Sequence, residues 1–118
     1  MRLWILSLLM ILMMTMASAL GAQTPAPAGS SENGKKIYAS YGCYQCHGYE
    51  GQGGVGPRLA PRPPLAFTAF SRYVRRPTDQ MPPYTAKVVT DKELTDIYAF
   101  LMSIPQPPAV SAIPILNH

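Results

Sequence analysis

The chain has two cysteines, and a histidine directly follows the second of them: Cys43-Tyr44-Gln45-Cys46-His47. In an exported protein, Cys-x-x-Cys-His is the attachment signature of c-type haem. The spacing suits that chemistry because both thiols must reach the vinyl groups on one edge of a porphyrin, while the next residue turns its imidazole towards the iron. We therefore predict one covalent haem c per chain, attached through Cys43 and Cys46, with His47 as the proximal axial ligand.

Four other interpretations of these residues are less favoured. A disulfide is an option in an oxidising compartment, but Cys43 and Cys46 would close only a small loop. A thioredoxin-like redox pair needs an alternating strand and helix pattern around it, and the sequence shows none. A zinc site needs four protein ligands, and the remaining histidine is the distant His118. Chance occurrence of the pentapeptide is the fourth interpretation.

A second axial ligand is expected among the methionines. Five of the seven lie within the first sixteen residues, which leaves Met81 and Met102 in the rest of the chain. Met81 begins the sequence Met81-Pro82-Pro83-Tyr84, where two prolines restrict the backbone and stiffen a loop that presents the thioether. Met102 lies near the end of a predicted helix, where methionine usually fills a gap in the core. We therefore predict Met81 as the distal axial ligand.

The first 22 residues have the three parts of a secretory signal peptide. They are the positive charge of Arg2, an apolar run over residues 3–14, and the small-x-small sequence Ala17-Ser18-Ala19. Cleavage is expected after Ala19, which predicts a periplasmic protein without a membrane span. The alternative is an uncleaved signal that anchors the chain in the membrane, since a helix over residues 3–22 would span roughly 30 Å.

The remaining chain divides into three parts. Residues 23–30 are small, polar and proline-containing, which predicts a flexible leader. Residues 31–105 form the predicted domain, and residues 106–118 are a proline-rich tail without charged side chains, expected to lie extended over a surface. Without Arg2 the chain has nine basic and six acidic residues. This mild excess has no dense basic stripe, which excludes a nucleic-acid-binding protein.

Three helices are predicted to position the ligands. The first covers residues 32–41, with Ser30 or Ser31 as its N-cap and Gly42 at its end. The second covers residues 67–75, between prolines, and the third begins with the capping box of residues 90–93 and ends near residue 102 or 103. The apolar residues of the first and third helices recur at helical spacing, namely Ile37, Tyr38, Tyr41, Leu94, Ile97, Tyr98 and Leu101.

With these motifs, residues 31–104 resemble a class I monohaem c-type cytochrome, of the small bacterial periplasmic kind. The resemblance implies an all-α fold with three to four short helices wrapped around the haem. It implies that the Pro57 carbonyl accepts a hydrogen bond from His47 and that Leu59 packs on the haem ring. It also implies that the first helix packs on the last, with Gly34 and Tyr38 at the contact.

Ligation by His47 and Met81 leaves the iron no open position, so we expect an electron carrier and not an enzyme. Its redox partners would be a periplasmic dehydrogenase or a membrane cytochrome complex. The alternative is a dedicated cytochrome c subunit of a periplasmic oxidoreductase complex, and a third hypothesis is a haem enzyme or gas sensor with a displaceable Met81. Four residues are candidates for contact with the haem carboxylates: Tyr84, Tyr73, Arg75 and Arg58.

Overall fold

The structure, a computed structural model, describes residues 26–61 and 65–116. The predicted signal peptide, the first part of the leader, Arg62 and His118 lie outside the described residues. Within these two ranges, four α-helices follow one another: α1 (Ser31–Ser40), α2 (Tyr44–His47), α3 (Phe67–Arg75) and α4 (Asp91–Ser103). The described ranges contain no β-strand, and the prediction of an all-α fold is confirmed.

Helices α1 and α4 pack directly on each other and form most of the core. Helix α1 presents Gly34, Ile37 and Tyr38 as its buried residues. A Cβ at Gly34 would overlap the carbonyl oxygen of Asp96 in α4, so the two backbones touch at this glycine. The ring of Tyr38 lies 5.4 Å from that of Phe100. The predicted contact between the first and last helices is therefore present.

The ends of both helices are determined by local sequence. The Ser30 hydroxyl accepts a hydrogen bond from the Asn33 N–H and caps α1. At the start of α4, the Thr90 side chain accepts from the Glu93 N–H while the Glu93 carboxylate accepts from the Thr90 N–H, so the predicted capping box is confirmed. Both N-caps provide acceptors for backbone N–H groups that have no partner within the first turn of a helix.

Helix α3 packs against α4 through aromatic side chains. The ring of Tyr98 in α4 packs against the rings of both Phe67 and Phe70, at centroid distances of 5.3 and 5.4 Å. The Tyr98 hydroxyl donates a hydrogen bond to the carbonyl of Leu65, at 2.6 Å, just before α3 begins. These contacts place α3, and the loop after it, beside the core.

The structure differs from the sequence predictions in three places. Gly29 and Ser30, assigned to the flexible leader, contact α4: the Ser30 N–H donates to the Asp96 carboxylate at 2.8 Å. The haem motif forms the short helix α2, which is not among the three helices predicted from sequence patterns. The tail is not simply extended, because local hydrogen bonds form 3₁₀ turns at Val110–Ala112 and Pro114–Leu116.

Candidate haem-binding site

The Cys-x-x-Cys-His motif is held in place by glycines on both sides. Gly42 and Gly48 have φ values of +74° and +78°, which residues with a Cβ rarely adopt. The chain therefore turns sharply between α1 and α2 and again after α2. Cys43 and Cys46 carry free thiols, and residues three apart on a helical turn lie on the same side of it. Burial raises the pKa of the Cys43 thiol to about 11.

The His47 ring is buried, and its Nδ1 lies 2.8 Å from the carbonyl oxygen of Pro57. A carbonyl can only accept a hydrogen bond, so Nδ1 carries the proton and the lone pair of the neutral ring is on Nε2. Within the described chain no hydrogen bond engages Nε2. The ring is thus oriented as a metal ligand requires, and this is the hydrogen bond that the resemblance implies for Pro57.

The loop after α2 folds back over the motif and closes around the histidine. The Gly53 N–H donates to the His47 carbonyl at 2.8 Å, and the Gly56 N–H donates to the Cys46 carbonyl at 2.9 Å. A Cβ at Gly56 would lie 2.9 Å from Cε1 and Nδ1 of His47. Only glycine lets the backbone pass this close to the ring, so the loop and the imidazole fit each other directly.

Two further predicted residues of this loop have different surroundings. Leu59 is half-buried and packs against the hydrophobic core. Arg58 is exposed, and its Nε donates to the carbonyl of Gln52 at 3.3 Å. The expected contacts of Leu59 with the haem ring and of Arg58 with a haem carboxylate stay predictions.

Met81, the predicted distal ligand, lies half-buried in the loop after α3. Tyr84, three residues later, packs against the core and donates its hydroxyl to the carbonyl of Tyr41 at 3.1 Å. Burial raises the pKa of Tyr84, and the neighbouring Cys43 and Cys46 add to the rise.

Arg75 and Tyr73, two of the candidates for the haem carboxylates, have partners within the protein. The Arg75 guanidinium donates to the carbonyls of Tyr84 and Val89 and to the carboxylate of Asp91. The Tyr73 hydroxyl donates to the Asp79 carboxylate at 3.2 Å. Both side chains thus bind the protein itself, and a role for either at the haem carboxylates stays a prediction.

The residues of the described chain fit a covalent haem better than a zinc ion. No three side chains among His, Cys, Asp and Glu come together there as a metal-binding group, whereas zinc usually takes four protein ligands. A haem needs only two attachment sulfurs and one axial ligand on each face. Cys43, Cys46 and the prepared ring of His47 provide the proximal part of that set, and Met81 is the predicted distal ligand.

Asp96, a carboxylate of α4 that is not among the residues predicted from the sequence, has a side chain that is only 2% exposed. It accepts hydrogen bonds from the Ser30 N–H, the Asn33 amide and the Lys92 ammonium. In the nearby sequence, the spacing of Lys92 four residues before Asp96 on the same helix indicates an ion pair between the two. The two partners near α1 are over sixty positions away in the sequence, so only the fold reveals them.

Comparison with known proteins agrees with these observations. The family model described as "Cytochrome C oxidase, cbb3-type, subunit III" matches residues 29–101. The match covers α1 to α4 almost completely, and it begins at Gly29, where the chain first packs on α4. No curated protein and no solved structure matches the chain. The resemblance to c-type cytochromes is confirmed. The chain belongs to the cytochrome c family that carries the description cytochrome c oxidase, cbb3-type, subunit III.

Proposed function

We propose that this protein is a periplasmic one-electron carrier with a single covalent haem c. Membership of a cytochrome c family indicates haem-based electron transfer. In the proposed centre, Cys43 and Cys46 attach the haem, and His47 and Met81 are its axial ligands. The observation that carries this proposal is the hydrogen bond from His47 Nδ1 to the Pro57 carbonyl, because it directs Nε2 to the place of an axial ligand.

The chain's own residues prepare this chemistry. The Pro57 carbonyl keeps the proton on Nδ1 of His47 and makes Nε2 a better electron donor. Met81 would contribute a thioether, a soft ligand that favours the reduced state. When bound, the haem would supply one-electron redox chemistry between a donor and an acceptor. With both axial positions taken, the protein offers no open site for a substrate.

Carbon monoxide tests the proposed ligands, because it binds reduced haem where an axial position is open. We expect the exported wild-type protein to have the added mass of one haem and to bind no carbon monoxide near neutral pH. Met81→Ala should bind the gas. Met102→Ala, which removes a half-buried methionine of α4, is the matched control and should not. A wild-type protein without haem, or one that binds the gas, would contradict the proposal.

A second candidate function is that of a dedicated haem subunit in a larger oxidoreductase complex. The description of the matched family, which is that of an oxidase subunit, supports this alternative. The tail supports it too, because Val110, Ile115 and Leu116 are exposed apolar side chains in a segment without charges. Purification from the native host distinguishes the two functions: a carrier should be recovered as a monomer, and a subunit should copurify in a fixed ratio with a catalytic chain.

Export and partners complete the proposal. None of the helices in the described ranges has the length and hydropathy that a membrane span requires. Cleavage after Ala19 would release the protein into the periplasm, where a dehydrogenase or a membrane cytochrome complex would donate the electron. The stacked rings of Tyr44 and Tyr49, 4.5 Å apart beside the haem motif, are a proposed contact for these partners. Cell fractionation with N-terminal sequencing tests the location and the cleavage site.

A further inference from the structure

Met81 lies in a loop that leaves α3 and returns to it. The Tyr84 N–H donates to the carbonyl of Val74 at 3.1 Å, so the chain after α3 comes back to the last turn of that helix. Between Met81 and Tyr84, Pro82 and Pro83 have restricted φ angles. The position of the Met81 backbone therefore depends on where Tyr84 is held.

Arg75, the last residue of α3, holds Tyr84 in place. Its Nη1 donates to the Tyr84 carbonyl at 2.8 Å and to the Val89 carbonyl at 2.6 Å, and its Nη2 donates to Asp91 at 2.7 Å. The Arg75 side chain is 18% exposed, whereas that of Asp91 is 84% exposed. An exposed ion pair contributes little, so the two carbonyl contacts are the more important part of this arrangement.

Tyr84 is thus fixed at three points. Its N–H is bound by Val74, its carbonyl by Arg75, and its hydroxyl binds the Tyr41 carbonyl at the end of α1. Of the three contacts, only the one with Arg75 has a charged donor, the stronger kind of hydrogen bond. It also joins the loop to Val89, which is buried just before α4.

We infer that Arg75 is the positioning residue for Met81, which it serves by fixing the backbone at Tyr84. This inference rests on the proposed function, because it takes Met81 as an axial ligand. It gives the arginine a task different from the contact with a haem carboxylate that the sequence suggests. Arg75 keeps the methionine loop closed and thereby keeps the thioether available to the iron.

The test is competition by imidazole, which binds ferric haem in place of a weakly held methionine. It uses the intact haem protein and compares Arg75→Gln with Arg76→Gln, which removes the same charge from the adjacent exposed arginine. We expect Arg75→Gln to bind imidazole at least about tenfold more tightly than the wild type, equivalent to 1.4 kcal/mol. It should also weaken the methionine–iron charge-transfer band. Arg76→Gln should change neither property.

Arg75→Lys provides a second variant, because one ammonium group cannot reproduce the forked contacts of the guanidinium. Its imidazole affinity should lie between those of the wild type and Arg75→Gln, and circular dichroism checks that it is folded. Wild-type affinity in a folded Arg75→Lys or Arg75→Gln variant overturns the inference, as does an equal effect of Arg76→Gln. If the wild-type protein itself lacks the methionine–iron band, the proposed ligation by Met81 fails, and the inference fails with it.

Discussion

Replacing Asp96 by asparagine should remove a pH-dependent part of the protein's stability. The carboxylate accepts hydrogen bonds from the Ser30 N–H and the Asn33 amide at 2.8 Å each, and from the Lys92 ammonium at 3.0 Å. These groups, in that order of effect, lower the pKa of Asp96 to about 2. An asparagine side chain has only one oxygen that can accept hydrogen bonds. Its amide NH₂ group, which is a donor, would face the donor groups of Asn33 and Lys92.

The sign and size of the effect follow from the pKa values of the two states. An unfolded aspartate has a pKa of about 3.9, so the folded state favours the ionised form. The resulting stabilisation, about 2.6 kcal/mol, is complete well above pH 4 and is lost as the pH falls towards the folded pKa of about 2. Between pH 6 and pH 3 the loss should be about 1 kcal/mol.

The assay is guanidinium unfolding of the oxidised haem protein at pH 6 and pH 3, followed by far-UV circular dichroism. At pH 6, Asp96→Asn should be less stable than the wild type by about 2 kcal/mol, and at pH 3 this difference should shrink by about 1 kcal/mol. Comparing the two proteins at each pH cancels the pH effects that they share. Glu50→Gln, at an exposed position, is the control. A difference that stays constant with pH would refute the reasoning.

Three substitutions test other close contacts. Gly34→Ala should destabilise the protein by about 3 kcal/mol in thermal or denaturant unfolding, because the added Cβ meets the backbone of α4. At other helix positions, replacing glycine by alanine usually stabilises the helix. Gly56→Ala should lower the free energy of unfolding by about 1–3 kcal/mol, because its Cβ would clash with the His47 ring. Val55→Ala, at an exposed position next to Gly56, is the control for both glycine substitutions. An equal loss of stability in this variant would contradict both predictions. Thr90→Ala should lower the free energy of unfolding by about 1 kcal/mol, because the N-cap of α4 is lost, and Thr90→Ser should keep most of the wild-type stability.

The helices were predictable because their signals are local. Residues 67–75 were predicted as a helix and form α3 with these bounds, since prolines mark the chain on both sides. The first helix begins one residue earlier than predicted and also ends one residue earlier. The capping box at Thr90 and Glu93 needs only four consecutive residues, and it is present.

The site was predictable to the extent that its chemistry depends on short motifs. The order Cys43, Cys46, His47 led to the haem c prediction, and the cytochrome c family match supports that cofactor. The contact between His47 and Pro57 joins residues ten positions apart, and it was expected because the resemblance supplied it. Met81 as a ligand rests on the proline-stiffened loop, and it stays a prediction.

The partners of Arg75 and Asp96 were not predictable, because they come from distant parts of the chain. A charged side chain in a sequence does not indicate whether it will face solvent, a cofactor or a backbone carbonyl. Arg75 was expected near the haem carboxylates, yet its donors contact the carbonyls of Tyr84 and Val89. No sequence pattern near Asp96 indicates Ser30 or Asn33 as its partners, yet its carboxylate joins the start of α1 to α4.

The haem motif, the approximate helix bounds and the amphipathic faces that pack together could all be predicted from the amino-acid sequence. Each of these depends on residues within a few positions of one another, where spacing and backbone preference decide the outcome. Three features depend on the folded arrangement instead: the close approach of α1 to α4 at Gly34, the burial of the Asp96 carboxylate between them, and the contacts of Arg75. Those features arise when burial of the apolar faces brings distant polar groups together, and a buried polar group is stabilised only by the partners that the fold places within reach.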